Sequence, residues 1–198
     1  MPWPNAVSLE GTIASLVPLS RSHEGDLIEA AGDGALHRLW YTTVPAPDRV
    51  GAEIDRRLTL QASGTMLPFA VLDRASGRAV GMTTYMNIDA ANQRLEIGST
   101  WYRKAVQRTG VNTECKLMLL VHAFESLGCI AVEFRTHIMN RASRQAIERL
   151  GAKLDGILRS HQRMANGTIR DTCVYSIIAP EWPAVKANLT WQLERRGL

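Results

Sequence analysis

Residues 95–129 read LEIGSTWYRKAVQRTGVNTECKLMLLVHAFESLGC. Three patterns follow one another in this stretch. Up to Arg103 it is rich in β-branched, aromatic and other apolar residues, which predicts a strand over 94–103. KAVQRTGVN is a short cationic loop. From Asn112 onward Leu117, Leu120, Val121, Phe124 and Leu127 recur at three- and four-residue spacing, which predicts an amphipathic helix over 112–127 with Gly128 just past its end. A strand that turns into a helix presents the first helical N–H groups and the positive end of the helix dipole to the loop between them. Gly110 lets the backbone approach a ligand closely, and Arg108 adds a charge-assisted donor. With Arg103 and Lys104 close by, the segment reads as an anion site. Taken alone, it is equally an ordinary strand-to-helix connection with one turn glycine.

Outward from this stretch the remaining elements follow the same rules. VSLEGTIASLV (7–17) has strand character, and Ser20 opens a helix over 20–31 that Asp33-Gly34 breaks. A short helix over 34–40 ends in Leu39-Trp40-Tyr41, and the prolines of TTVPAP make a loop. Asp48 or Pro47 opens a helix through Gln61 with Val50, Ile54, Leu58 and Gln61 on one stripe. Strands at 68–73 and 79–88 join the strand at 94–103 through the turns ASGR and DAANQ as an antiparallel meander. The run 129–138 is a strand with Ile130, Val132, Phe134, Thr136 and Ile138 on one face. Asn140 caps a helix ending at Leu150-Gly151. Strands at 153–163 and 169–178 turn at Asn166-Gly167, and Pro180-Glu181-Trp182-Pro183 starts a last helix. This order predicts an α/β fold: a mixed, mostly antiparallel central sheet with helices on both faces.

With 198 residues the chain is expected to form one domain over 1–198. Its hydrophobic fraction of 45% and charged fraction of 21% exclude wholesale disorder. The net charge of +4 is too small and too scattered for a nucleic-acid surface. No apolar run is long enough to span a membrane. The three cysteines, Cys115, Cys129 and Cys173, fit neither a disulfide framework nor a metal site, and a reducing cytoplasm is the expected compartment.

Three blocks together resemble the GNAT superfamily of acyl-CoA-dependent N-acetyltransferases, closest to the branch of the ribosomal-protein N-terminal acetyltransferases. They are the stretch quoted above, VEFRTHIMNRASRQAIERLGAKLDGILRSH (132–161), and RDTCVYSI (170–177) with Glu181-Trp182-Pro183 after it. The family's loop pattern is Gln/Arg-x-x-Gly-x-Gly/Ala. Gln107, Arg108 and Gly110 match it in type, and Asn112 stands where the pattern has a small residue. The resemblance implies that the strands at 94–103 and 129–138 are neighbours that splay at their C-terminal ends. A pantetheine arm would lie in the gap, paired with the backbone at Thr100, Trp101 and Tyr102. The pyrophosphate would sit on the loop and helix start, at Gln107, Arg108, Thr109, Gly110, Val111, Asn112 and Thr113. The co-substrate implied is acetyl-CoA, with no metal, and the partner is an amine acceptor. Another acyl-CoA such as succinyl-CoA, or a regulatory protein that binds CoA without catalysis, is the alternative. A homodimer is compatible with such folds.

Acetyl transfer to an amine needs a neutral nitrogen, a donor for the developing oxyanion and a proton for the leaving thiolate. Glu96 is the candidate general base, two residues from Gly98 on the strand face expected to include Thr100 and Tyr102; the alternative is an ion pair with Arg94 or Arg135. Ser143 is the candidate acid, or a capping or packing serine. Many family members use a tyrosine in this region, and Tyr85, Tyr102 and Tyr175 are the possible replacements. Asn140 either contacts the pantetheine or only caps its helix. His137 ends a strand near the expected cleft, and Trp40 and Tyr41 form either an acceptor wall or core.

Overall fold

The turns between strands are set by local side chains. Asp73 accepts hydrogen bonds from Ser76 N–H and hydroxyl at 3.1 and 2.6 Å, Asp89 accepts from Asn92 N–H at 3.0 Å, and Asn166 accepts from Thr168 N–H at 3.1 Å. Gly77 and Gly167 supply positive φ in two of these turns. In the computed structural model, which describes residues 3–195, the elements are β1 (Leu9–Glu10), β2 (Ala14–Pro18), α1 (Glu24–Gly32), α2 (Val50–Ala62), β3 (Met66–Asp73), β4 (Ala79–Asp89), β5 (Arg94–Tyr102), α3 (Val111–Val121), β6 (Ala131–His137), α4 (Arg141–Leu150), β7 (Lys153–Arg163), β8 (Ile169–Ile178) and α5 (Trp182–Glu194). The strands form one eight-stranded sheet in the order β1-β2-β3-β4-β5-β6-β8-β7.

Every adjacent pair is antiparallel except β5–β6. One face of the sheet packs on α1 and α2, through Leu27, Ala30, Val50 and Ile54 against Ala70, Met82 and Trp101. The other packs on α3, α4 and α5, through Cys115, Leu119, Ile147 and Leu189 against Tyr85, Leu95, Ile97 and Phe134. The mixed sheet with helices on both faces is therefore as the sequence predicts.

Four boundaries differ. Residues 7–17 are not one strand but the β1–β2 hairpin, because the buried Glu114 carboxylate accepts from Thr12 N–H, Thr12 hydroxyl, Ile13 N–H and Ala14 N–H at 2.8, 2.6, 2.8 and 2.7 Å. Gly11 N–H donates to Ala14 C=O at 3.0 Å and closes the turn locally, while the acceptors for the next three N–H groups lie on a distant helix. The helix predicted over 112–127 ends as α3 at Val121 and continues as a π turn, His122–Ser126, whose His122 ring stacks on Tyr85 at 5.9 Å. The helix expected over 34–40 shrinks to a 3₁₀ turn, Leu36–Arg38, because Gly34 and Ala35 both take positive φ. Ile130 precedes β6 and is exposed rather than facing inward.

Candidate active site

The parallel seam is short. β5 and β6 pair only at Arg94↔Ala131, Leu95↔Val132 and Glu96↔Glu133. Beyond these, β5 continues to Tyr102 beside β4, and β6 continues to His137 beside β8. The two strands thus part, leaving an open V between their C-terminal halves.

A bulge divides β5 at the mouth of that V. Gly98 pairs with Thr84 and Trp101 with Met82, so Ser99 and Thr100 together oppose Thr83. Ser99 takes φ +48°. An extra residue shifts the alternation of side chains, and Tyr102 accordingly joins the α3 side of the core while Trp101 joins the α1/α2 side. Glu96, Gly98 and Trp101 share one face; Thr100 and Tyr102 are on the other. This corrects the expectation that Glu96 shares its face with Thr100 and Tyr102, which assumed an unbroken period of two.

Two buried cations grip the bulge, one from each face. Arg57 of α2, 2% exposed, donates to Ser99 C=O at 3.0 Å, to Thr84 Oγ1 at 2.8 Å and to Glu53 Oε1 at 2.7 Å. Lys116 of α3, also buried, donates to Thr100 Oγ1 at 2.9 Å and Thr83 Oγ1 at 3.3 Å. Burial pushes the Lys116 pKa from 10.5 down to about 8. Between those pH values the unfolded chain holds this proton and the folded chain does not, so stability rises with pH across the window and the cost of the buried ammonium is fully present below it. Lys116→Met removes that cost. Its stability advantage over wild type, from urea unfolding, should therefore shrink by about 3 kcal/mol between pH 7 and 10.5. An equal difference at both pH values would show that the lysine carries no such cost.

Glu96 is 4% exposed. Its Oε2 accepts from Asn87 Nδ2 at 2.6 Å and lies 3.5 Å from Arg135 Nε. Burial raises its carboxyl pKa, with Asn87 and Arg135 pulling the other way. A Cβ at Gly98 would sit 2.7 Å from both Glu96 Oε1 and Met86 Sδ, so a larger residue there would push the carboxylate from its place along the strand. Arg94 pairs with Glu133 at 2.6 Å instead. Asn87, Arg94, Glu133 and Arg135 line a surface groove of about 480 Å³ beside this carboxylate.

After β5 the chain makes a 3₁₀ turn, Lys104–Val106, tied to the end of α1 by Asp33, which accepts from Ala105 N–H at 2.9 Å and Arg103 Nε at 3.2 Å. Arg103 is thereby partly neutralised. Gln107 Nε2 donates to Tyr102 C=O at 2.9 Å and Thr109 hydroxyl to Val106 C=O at 2.6 Å. The left-handed residue is Arg108, φ +63°, whereas Gly110 has φ −70° and is the N-cap of α3. Val111 and Thr113 side chains are buried, which leaves their backbone, with Asn112, to form the helix start.

On the other arm of the V, Asn140 caps α4 by accepting from Ser143 N–H at 3.0 Å, and Ser143 is half-buried in the first turn. The three tyrosines are all engaged or enclosed. Tyr85 hydroxyl donates to Leu119 C=O at 2.5 Å, Tyr175 hydroxyl to Glu148 Oε1 at 2.8 Å, and the Tyr102 hydroxyl is buried against Cys115. All three cysteines are free and buried, with Cys115 and Cys129 pushed up to about 12 and about 11 by burial. Among the described residues no group of three or more His, Cys, Asp or Glu is placed to hold a metal ion, and no helix is long and apolar enough to cross a membrane. His137 is buried at the end of β6, with the Trp40 ring edge-on at 5.2 Å and Trp40 against Tyr41 at 5.6 Å. The sequence reading missed Arg57 and Lys116. Arg57 carried a signal: it lies three residues after Ile54, inside the apolar stripe of its helix.

The family model described as acetyltransferase (GNAT) domain matches residues 15–153. A GCN5-related N-acetyltransferase from Brucella melitensis is 33% identical, with a TM-score of 0.88 over 97% of this chain and 87% of that one. Mycobacterium smegmatis RimJ in complex with CoA-disulfide, 21% identical over 96% of each chain with a TM-score of 0.77, shares the fold. So does a ribosomal-protein-S5-alanine acetyltransferase from Vibrio fischeri, 16% identical, covering 89% of this chain and 98% of that chain with a TM-score of 0.70. No curated protein matches the sequence.

Proposed function

The chain belongs to the GNAT acetyltransferase family, and from that premise we propose that it moves acetyl from acetyl-CoA to a primary amine by direct attack. The observation that carries the proposal is the parting of β5 from β6 after three residue pairs, which opens β5 backbone around Thr100–Tyr102 to an extended ligand. Arg108, Thr109, Gly110, Asn112 and Thr113 fit a pyrophosphate through backbone N–H groups and the helix dipole, while Gln107 and Val111, whose N–H groups donate to Lys104 C=O and Thr109 Oγ1, shape the loop. Asn140 keeps an amide donor for the pantetheine while its oxygen caps α4. Glu96 takes the proton of the attacking nitrogen, directly or through water, and the groove beside it gives that proton a polar exit. With the tyrosine hydroxyls engaged or enclosed, Ser143 is the acid for the thiolate. Buried free cysteines suit a reducing, cytoplasmic setting.

Release of free thiol from acetyl-CoA in the presence of an amine panel tests the reaction. Turnover of succinyl-CoA alone would correct the donor, and CoA binding without turnover of any acyl-CoA would make the protein a regulatory binder. Gly110→Asp tests the anion site. Gly110 has φ −70° and ψ −19°, which aspartate adopts without strain, and an acidic residue suits a helix start, so α3 is retained while a negative charge is set beside the phosphate position. Calorimetry should show CoA affinity falling at least tenfold, about 1.4 kcal/mol; unchanged affinity in the folded variant would remove the loop from the site.

A further inference from the structure

Four buried side-chain atoms have no hydrogen-bond partner among the described residues: His37 Nδ1, Trp101 Nε1, Tyr102 Oη and His137 Nε2. Tyr102 is on the α3 face, but Trp101 and His137 both lie on the face that carries Glu96, one on each of the two strands that part. Continuing the β5–β6 register past Glu96↔Glu133 would set Thr100 level with His137, and the bulge advances that position to Trp101. Trp101 packs on the α1/α2 side. Along β6, Val132, Phe134 and Thr136 are buried, while His137 alternates with them and shares the side of Glu133 and Arg135, the latter beside Glu96. The Trp40 ring covers His137.

Both orphan atoms are donors. An indole nitrogen only donates. Met139 N–H donates to His137 Nδ1 at 3.1 Å, so the neutral ring carries its proton on Nε2. Burial lowers the His137 pKa and keeps the ring neutral. Leaving a buried donor without an acceptor disfavours the fold, and these two are carried by the pair of strands that border the gap. The carboxylate of Glu96 lies over Gly98, two residue steps of β4 from the Trp101 level, roughly 7 Å.

We propose that Trp101 Nε1–H and His137 Nε2–H bind an oxygen of the acceptor molecule itself, so that the substrates are amines carrying a carbonyl or carboxylate oxygen a few bonds from the nitrogen. The identity of the entering molecule as an acceptor rests on the acetyl-transfer reading above; the pair of donors does not. A free amino acid would offer its carboxylate, a peptide N-terminus its carbonyl oxygens. An alkylamine offers neither.

The test uses the full chain, ¹⁵N-labelled and saturated with CoA, which binds without reacting. Trp101→Phe assigns the Trp101 indole resonance. Glycine, glycylglycine and propylamine are then titrated separately, and each is also assayed for acetylation. Glycine or glycylglycine should shift the Trp101 resonance and be acetylated with at least tenfold higher kcat/KM than propylamine when each is referred to the concentration of neutral amine, the better of the two distinguishing amino acid from peptide. His137→Leu should abolish that preference, and His137→Gln, which restores an amide N–H near Nε2, should recover it. A resonance that no amine moves, or that propylamine moves equally, overturns the proposal; so does a shift produced by CoA that no amine then changes. The wild-type titration decides even if a variant does not fold. A shift with glycylglycine but no acetylation would instead refute acetyl transfer and leave the oxygen site standing.

Discussion

Glu96→Gln should lower kcat by about 10²–10⁴-fold with acetyl-CoA affinity near that of wild type. The substitution keeps the shape and the acceptor that Asn87 Nδ2 uses but removes the basicity. Burial raises the Glu96 pKa, so the wild-type rate should fall as pH drops through a point above the ordinary carboxylate range, where Glu96 becomes protonated. The variant should lack that inflection. Its deficit should be largest where wild-type Glu96 is ionised but the amine is still protonated, and should shrink as pH approaches the amine pKa, near 8 for an α-amine or about 10.4 for a lysine. Stability should move the other way. A raised folded pKa means that ionisation disfavours the fold, a penalty absent at low pH and fully present above the folded pKa. Glu96→Gln should then be at least as stable as wild type at pH 7. A pH–rate profile on a confirmed acceptor, with urea unfolding, checks both. Curves that run parallel with a few-fold offset would make Glu96 a structural residue.

Arg57→Met is the second large effect, expected at about 3 kcal/mol of lost stability. Glu53 retains Arg56 at 2.7 and 2.8 Å, so its charge is not stranded. The loss comes from Ser99 C=O and Thr84 hydroxyl, which lose their donor inside the α2–sheet contact. Because Ser99 holds φ +48° against that hydrogen bond, CoA affinity should also fall in the variant at temperatures where it is fully folded. Arg57→Lys keeps the charge without the forked donors and should lie between. Denaturant unfolding and calorimetry measure the two quantities. A stability change below about 0.5 kcal/mol, the scale of ordinary surface substitutions, with unchanged CoA binding would mean that Arg57 does not hold the bulge.

What could be read from residues alone follows the range of the interactions concerned. The meander, the Asn166-Gly167 hairpin and the Asn140 cap depend on neighbours a few positions apart, and the sequence predicts each of them. The β1–β2 hairpin depends on Glu114, so VSLEGTIASLV reads as one strand until that carboxylate is in place. The bulge is equally hidden: Ser99-Thr100 contains none of the glycine or asparagine that usually marks positive φ. Its supports are side chains from two helices on opposite faces. Glu96 and the 107–113 segment were visible as candidates because chemistry and local order both pointed to them. Lys116 was not, since a charged residue on a helix normally signals solvent and only the packed sheet shows that it is enclosed; Arg57 showed only by its place in the apolar stripe of α2.

The bulge also determines which kinds of genetic change this strand can absorb. Replacing Ser99 by another residue leaves the count of positions in β5 intact. Deleting it removes the bulge itself: Gly98, Thr100, Trp101 and Tyr102 would then oppose Thr84, Thr83, Met82 and Gly81 one to one, and each side chain from Thr100 to Tyr102 would keep its face. One lost codon at that position would therefore leave both layers of side chains as they are and take away only the left-handed residue whose carbonyl Arg57 holds. Homologous chains one residue shorter between Gly98 and Trp101 should therefore keep the same side-chain layers and lack the Arg57–Ser99 contact.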